Sequence, residues 1–335
     1  MFKKIERIVK QSKTFVLTTH VNPDGDGLGS EIGLATFLKM KNKKVRIINT
    51  SDIPKQYQFL NSGKEIETYN AARHDRFIRE ADVIFVLDIS VSKRLDRMQQ
   101  VVMESPAKRI CIDHHLDNDG LGHYNCVDEK SPATAELIYN FIKYFKGKPN
   151  LKIAQALYTS LITDTGGFRF NATRPTTHLI AAELLKLGVK PNDIYSNVFE
   201  QGNANVMKLL GRMLERLKPK NDGEMNWTYL DEQDFRETGT HRSDTEGFVD
   251  YTLKLEGSMM GVFFYETPEG HTKISLRSKG KVDVQKFARQ FGGGGHMHAS
   301  GITLKTPFQS TMNDMTAKLT DYYHKNYSKK SKKVA

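Results

Sequence analysis

TFVLTTHVNPDGDGLGSEIGLATFLKM, residues 14–40, joins a short apolar run to a second apolar stretch through a polar, glycine-rich turn. Thr14 to Thr19 is short and rich in strand-forming residues, and it reads as a buried strand. Leu28, Ile32, Ala35 and Leu38 keep helical spacing and Asn42 follows the end, so Leu28 to Met40 reads as a helix. KVRIIN (44–49), VIFVLD (83–88) and KRICID (108–113) are further short runs rich in Val and Ile, with helical patterns between them. This alternation predicts an α/β fold with a parallel sheet buried on both faces.

Working outward, Ser131-Pro132 places a cap and a first-turn proline before AELIYNFIKYF (135–145). Leu151 to Thr163 and Pro175 to Leu187 read as further helices, and the first domain is expected over 1–187. Residues 188–220 are expected to form a helical linker and hinge. Pro191 to Leu217 carries its own helical pattern there, and the proline- and glycine-containing PKNDG (219–223) follows. Beyond it, MNWTYL, MGVFFYE and TKISLRS resemble strands, while VDVQKFARQF and Thr311 to Tyr327 resemble helices. A smaller α+β domain is expected over 221–327, followed by a disordered basic tail at 328–335.

At 335 residues the chain exceeds what one core usually serves, in keeping with two domains. Apolar residues make up 38% and charged residues 27%. No apolar stretch approaches the roughly 20 residues of a membrane span, and MFKKIERIVKQSK is too polar for a signal peptide. A cytoplasmic protein is expected. Cys111 and Cys126 have no CxxC context, which excludes a disulfide framework or a zinc ribbon. Of the net charge of +11, five units come from lysines in the last eleven residues, and the remaining body is mildly basic. That balance suits an anionic substrate.

The turn in the opening stretch carries His20, Asp24 and Asp26. In an extended segment, carboxylates two residues apart face one pocket, and Gly25, Gly27 and Gly29 allow tight turns and close approach of a ligand. A calcium loop is excluded because Gly33 stands where a bidentate glutamate is needed. Asp88 and Asp113 close two strand-like runs, His114 and His115 follow directly, and Asp164 ends a helical pattern. Taken singly, these aspartates read as helix caps. Their co-occurrence with an HH pair and an Asp-x-Asp loop points instead to a ligand set without thiolate, suited to manganese or magnesium rather than structural zinc.

HVNPDGDGLGS, VLDIS, IDHH and TDTGGFRF resemble the four ordered motifs of the DHH phosphoesterase superfamily, and GGGGHMHASG resembles the signature of its companion DHHA1 domain. The resemblance covers nearly the whole chain. It is nearest to the stand-alone nanoRNase and pAp-phosphatase (NrnA-like) subfamily, which degrades very short oligonucleotides, removes the 3′-phosphate of pAp and, in some relatives, cleaves linear dinucleotides such as pApA. The resemblance implies two divalent metal ions, manganese first, with magnesium or cobalt as alternatives. It assigns His20, Asp24 and Asp88 to one ion and Asp26, Asp88, His114 and Asp164 to the other, with Asp88 bridging. A metal-bridging hydroxide is then the nucleophile. His115 is left for the scissile phosphate, as a contact or general acid, and Asp113 for fixing a histidine tautomer.

Gly292 to Gly295 offers backbone N–H groups as an anion cradle, although such a run alone is more often a flexible turn. The resemblance makes Gly293, Gly294, Gly295 and His296, with Arg277, Ser278 and His298, substrate-binding residues. A metal pair from His296 and His298 is set aside because no carboxylate accompanies it. Arg169 is a further candidate for a phosphate oxygen, against a plain surface salt bridge. Trp227, Phe263, Phe264 and Tyr265 are expected in the core of the second domain, although a short-oligonucleotide enzyme needs some aromatic on which a base stacks.

The leading expectation is hydrolysis of very short nucleic acids or pAp in a cleft admitting a few nucleotides, with no membrane or long duplex as partner. The oligomeric state is open, a homodimer included. Inorganic pyrophosphatase or polyphosphatase activity is the alternative enzyme, and a non-catalytic nucleotide-binding protein the alternative of another class.

Overall fold

The computed structural model describes residues 1–115 and 121–327, so the basic tail at 328–335 lies outside the described residues. The chain divides into two units, Met1–Gln201 and Gly202–Ala335. Among the described residues no helix is long and apolar enough to cross a membrane.

In the first unit, β1 (Thr14–Thr18), β2 (Lys44–Asn49), β3 (Ile66–Thr68), β4 (Val83–Leu87), β5 (Lys108–Asp113) and β6 (Tyr124–Val127) form one parallel sheet in the order β3-β2-β1-β4-β5-β6. The helices are α1 (Glu6–Gln11), α2 (Gly25–Met40), α3 (Ala71–Glu80), α4 (Gln99–Glu104), α5 (Thr134–Tyr144), α6 (Leu151–Asp164), α7 (Pro175–Lys186) and α8 (Pro191–Phe199). Side chains alternate between the two faces of the strands. Phe15, Leu17, Val83, Phe85 and Leu87 pack with α2, α5 and α6, while Val16, Ile84 and Val86 pack with α3 and α4. Burial on both faces explains why these strands read as unbroken apolar runs.

Strand order reverses between β1 and β4. The segments leaving the carboxyl ends of these two strands diverge, which opens the crevice where doubly wound sheets bind ligands. His20 follows β1, Asp88 follows β4, and Asp113 ends β5.

Four local expectations are corrected. The helix expected from Leu28 begins at Gly25, because Asp24 Oδ1 accepts hydrogen bonds from the amides of Asp26 and Gly27 at 3.0 and 3.1 Å. Asp24 and Asp26 are therefore a cap and a first-turn residue, and not neighbours on an extended segment. The loop glycines serve packing rather than turns. A Cβ on Gly27 would lie 2.4 Å from Thr19 Oγ1, and one on Gly29 2.3 Å from the Ala156 carbonyl oxygen of α6. Ser131 does not cap α5 either. Its hydroxyl donates to the Ala133 carbonyl, and the first amides of α5 go to a carboxylate from elsewhere in the sequence.

The second unit holds α9 (Ala204–Glu215), β7 (Lys218–Lys220), β8 (Met225–Leu230), α10 (Glu232–Thr238), β9 (Met260–Glu266), β10 (Thr272–Ser278), α11 (Val284–Arg289), β11 (Gly294–His296), β12 (Ala299–Leu304) and α12 (Phe308–Tyr327). Its sheet runs β11-β12-β10-β9-β8-β7, with β8 and β9 parallel and the other neighbours antiparallel. One face packs on α11 and α12, the other on α9 and α10. Trp227, Phe263 and Phe264 are core residues. The helical pattern read across 191–217 breaks at Gly202-Asn203, where the Asn203 side chain caps α9.

Candidate metal centre

The residues around the β1/β4 reversal converge on Asp88, which is buried and holds a left-handed backbone with φ of 58°. Its two oxygens face different histidines. Oδ2 lies 3.6 Å from His20 Nε2, and Oδ1 lies 3.5 Å from His114 Nε2. Asp24 Oδ2, the oxygen its capping role leaves over, lies 3.6 Å from His20 Nε2. His114 Nε2 is also 3.0 Å from Asp164 Oδ2 and 3.7 Å from Asp26 Oδ2. Donor atoms of His20, Asp24 and Asp88 lie within 4.8 Å of one another, as do those of Asp26, His114 and Asp164.

Both imidazoles are oriented by backbone. His20 Nδ1 lies 2.9 Å from the Val21 carbonyl, and His114 Nδ1 lies 3.1 Å from the Ser131 carbonyl. A carbonyl only accepts, so Nδ1 carries the hydrogen and Nε2 presents its lone pair to the cluster whenever the ring is neutral. The carboxylates are held as firmly. Asp26 Oδ2 and Oδ1 accept the amides of Thr134 and Ala135 at the start of α5, at 2.6 and 3.0 Å. The Thr134 hydroxyl donates to Asp88 Oδ1 at 3.1 Å.

The electrostatics follow from this crowding. Burial, with Asp88 and Asp164 beside it, pushes Asp26 well above the ordinary carboxylate range. Burial is also the largest influence on Asp164, which is pushed up to about 6. For Asp88 the upward pull of burial is outweighed by His114 and His20, which hold it well below its ordinary value. Burial alone would lower the histidines, but Asp24 and Asp88 push His20 up to about 10, and Asp164 and Asp88 push His114 up to about 12. The donor set fits divalent ions: carboxylate oxygens and two Nε2 atoms, no thiolate, and anionic charge that these imidazoles neutralise only in part.

A donor atom of His115 also lies within 4.8 Å of donor atoms of Asp88 and His114. His115 Nδ1 lies 2.7 Å from Asp113 Oδ1, which also accepts the backbone amides of His114 and His115. The same Nδ1 is 3.5 Å from Asp88 Oδ1, so the nitrogen nearest the cluster is already bonded to Asp113. Arg169, five residues beyond Asp164, is exposed, lies over the Phe170 ring at 5.2 Å, and has no carboxylate partner among the described residues.

In the second unit, Arg277 pairs with Asp250 at 3.2 Å. Ser278 is buried; its hydroxyl donates to the Val282 carbonyl and meets His298 Nδ1 at 3.0 Å. The single hydroxyl hydrogen is thereby used, so His298 Nδ1–H is the donor to Ser278. The glycine run is not a free loop. The amides of Gly292 and Gly293 close the end of α11, and Gly294, Gly295 and His296 form β11, an edge strand. Two carbonyls of this strand already have partners, Gly295 accepting from the Gln285 side chain and His296 from the Ser300 hydroxyl.

Sequence reasoning missed Thr134 and a buried relay behind His20. Glu31 accepts from Asn49 Nδ2 at 2.8 Å, and Asn49 Oδ1 accepts from the Thr19 amide at 3.2 Å. No motif marks Thr134, because its role depends on a long-range approach of α5 to Asp26.

A doubly wound sheet with carboxylates and paired imidazoles gathered at its strand-order reversal is the architecture of a metal-dependent hydrolase. Comparison with known proteins gives that class its particular form. The DHH family, N-terminal domain, matches residues 14–163 and the DHHA1 domain matches residues 225–325. The chain is 33% identical to the bifunctional oligoribonuclease and PAP phosphatase NrnA of Thermus thermophilus, over 86% of this chain and 83% of that protein. It is 28% identical to the Bacillus subtilis protein of the same name, over 91% and 93%. A crystal structure of an exopolyphosphatase-related protein from Bacteroides fragilis superposes with a TM-score of 0.90 at 30% identity, covering 96% of each chain. The chain belongs to the DHH family of phosphoesterases.

Proposed function

We propose that this chain hydrolyses very short oligonucleotides, nanoRNA and linear dinucleotides such as pApA, to mononucleotides and removes the 3′-phosphate of pAp. The observation that carries the reading is the double orientation of Asp88, with one oxygen toward His20 and the other toward His114. A carboxylate so placed is shared by two ligand sets: His20, Asp24 and Asp88 would hold one divalent ion, and Asp26, Asp88, His114 and Asp164 the other. Manganese is the proposed metal. When bound, a pair of divalent ions supplies an acidified water and neutralises charge on the phosphoryl oxygens.

The chain's own residues do the rest. The backbone carbonyls of Val21 and Ser131 hold the imidazole tautomers, and the amides of α5 hold Asp26. Asp113 orients His115 through Nδ1, which leaves His115 Nε2 to contact the scissile phosphate or protonate the leaving oxygen. Arg169, Arg277, His296, His298 and the backbone of Gly293 to Gly295 are the proposed grips on substrate, with Ser278 fixing the ring of His298. The relatives from Thermus and Bacillus carry names that match both activities.

The Bacteroides relative is described as exopolyphosphatase-related, so inorganic polyphosphate is the competing substrate for the same centre. One assay separates the two. Release of mononucleotides from a labelled dinucleotide is compared with phosphate release from pAp and from polyphosphate, with manganese and then with chelator. Turnover of polyphosphate alone would replace the nucleotide reading, and activity that survives chelation would refute the metal mechanism.

A further inference from the structure

We propose that Phe170 is the platform on which a substrate nucleobase stacks. The proposal rests on the oligonucleotide reading and deepens it. Trp227, Phe263 and Phe264 are buried in the core of the second unit. Phe170, by contrast, is 47% exposed and lies six residues beyond Asp164. Tyr144, Tyr195 and Phe199 are exposed too, but Tyr144 bonds Glu6 through its hydroxyl, and Tyr195 and Phe199 pack on each other along α8.

The exposure of Phe170 is built into the fold. Gly166, Gly167 and Phe168 all hold left-handed backbone, with φ of 57°, 71° and 69°. For Phe168, which has a side chain, that conformation is strained, and surrounding bonds must hold it. They do so from Thr165. Its hydroxyl accepts the Phe168 amide at 2.8 Å, and its carbonyl accepts the amides of Arg169 and Phe170, both at 3.0 Å. The far end of the segment is pinned where Arg174 pairs with buried Glu136 at 2.5 Å and with Asp128 at 3.5 Å. The tight reversal lays the Phe170 ring against Gly166, where a Cβ would come within 2.6 Å of Cζ. A ring seated on backbone is fixed before substrate arrives.

The other partner of the ring is suited to being exchanged. The Arg169 guanidinium lies 5.2 Å from the ring centroid on an exposed side chain without a carboxylate partner among the described residues. An entering base takes the place of the guanidinium over the ring, and the freed cation meets the substrate phosphate. Stacking accepts any base, since every base has a π-face, so this platform selects nucleotides over inorganic phosphates rather than one base over another.

The test uses the full chain with Phe170→Ala, Phe170→Leu and Phe170→Trp. Substrates are a dinucleotide and its analogue lacking the base of one nucleotide. Phe170→Ala is expected to raise KM for the dinucleotide by about 5- to 150-fold, with kcat changed little. Phe170→Leu, which keeps apolar bulk without a π-face, is expected to lose as much, while Phe170→Trp stays near wild type. KM for the base-lacking analogue is expected to be the same in all four proteins.

Unchanged KM in Phe170→Ala, wild-type KM in Phe170→Leu, or an equal loss on the analogue would each overturn the platform. A binding arm is read without turnover: a 2-aminopurine dinucleotide is expected to be quenched by wild type and not by Phe170→Leu, and absence of quenching by wild type overturns the proposal. If wild type binds with quenching yet fails to cleave any dinucleotide, the platform stands and the hydrolytic reading falls.

Discussion

Replacing Asp88 by Asn keeps the shape of the side chain and removes the one charge shared by both ligand sets. The distances give the size of the effect. A unit charge 3.6 Å from His20 Nε2 and 3.5 Å from His114 Nε2 interacts with each imidazolium by about 4–5 kcal/mol at an effective dielectric constant of about 20. Taken as the scale of what the same carboxylate contributes to each bound ion, this corresponds to a loss on the order of 1,000-fold in affinity at both positions. Titrating manganese into metal-free protein by calorimetry measures it directly. Wild type is expected to take two ions per chain and Asp88→Asn neither in the same concentration range, with dinucleotide turnover lost in parallel. Asp24→Asn is the control, because Asp24 faces His20 alone and its loss leaves Asp26, His114 and Asp164 intact. That variant is expected to bind one ion. Two ions bound by Asp88→Asn with wild-type affinity, or both positions lost in Asp24→Asn, would refute the division of the centre around Asp88.

Three further outcomes follow from the same geometry. Because neighbouring carboxylates push His20 up to about 10 and His114 up to about 12, both rings carry a proton at neutral pH in metal-free protein, and metal must displace it. Manganese affinity is expected to rise from pH 6 to pH 9 with measurable proton release, and a flat profile would contradict the competition. Burial pushes Glu31 up to about 8, so the folded state holds a proton that the unfolded state releases near its ordinary value of 4.5. The stability this contributes is full below about pH 4.5 and is lost as pH rises to about 8, a change on the order of 5 kcal/mol; urea denaturation of metal-free Glu31→Gln is expected to lack that part of the decline. Gly29→Ala places a methyl group 2.3 Å from the Ala156 carbonyl oxygen, and the overpacking is expected to cost about 1–3 kcal/mol, read as a lowered Tm.

The first four long strands were legible in the sequence because burial on both faces leaves continuous apolar runs, and β2 and β5 fall on the expected residues. The edge strands β3 and β6 were not, since IET and YNCV are short and mixed in polarity where only one neighbour is paired. The start of α2 was misplaced for a different reason. Glycine at 25, 27 and 29 argues against helix by propensity, and the cap from Asp24 together with close packing against Thr19 and α6 overrides it. Of the site, His20, Asp24, Asp26, Asp88, His114 and Asp164 announce themselves by residue type, and the structure brings them together. Thr134 and Phe170 do not, because a threonine at a helix start and a phenylalanine after two glycines acquire meaning from long-range contacts or from exposure.

The grip of α5 on Asp26 ties inactivation to unfolding. A mutation at Asp26 frees the amides of Thr134 and Ala135 inside the protein, so a lineage that loses this carboxylate also loses part of its scaffold. Asp24 bears no such tie to a distant helix; its bonds are to its own first turn. Descendants of such a chain that abandon hydrolysis and survive as nucleotide binders are therefore expected to discard Asp24 early and to keep Asp26 for its hold on α5.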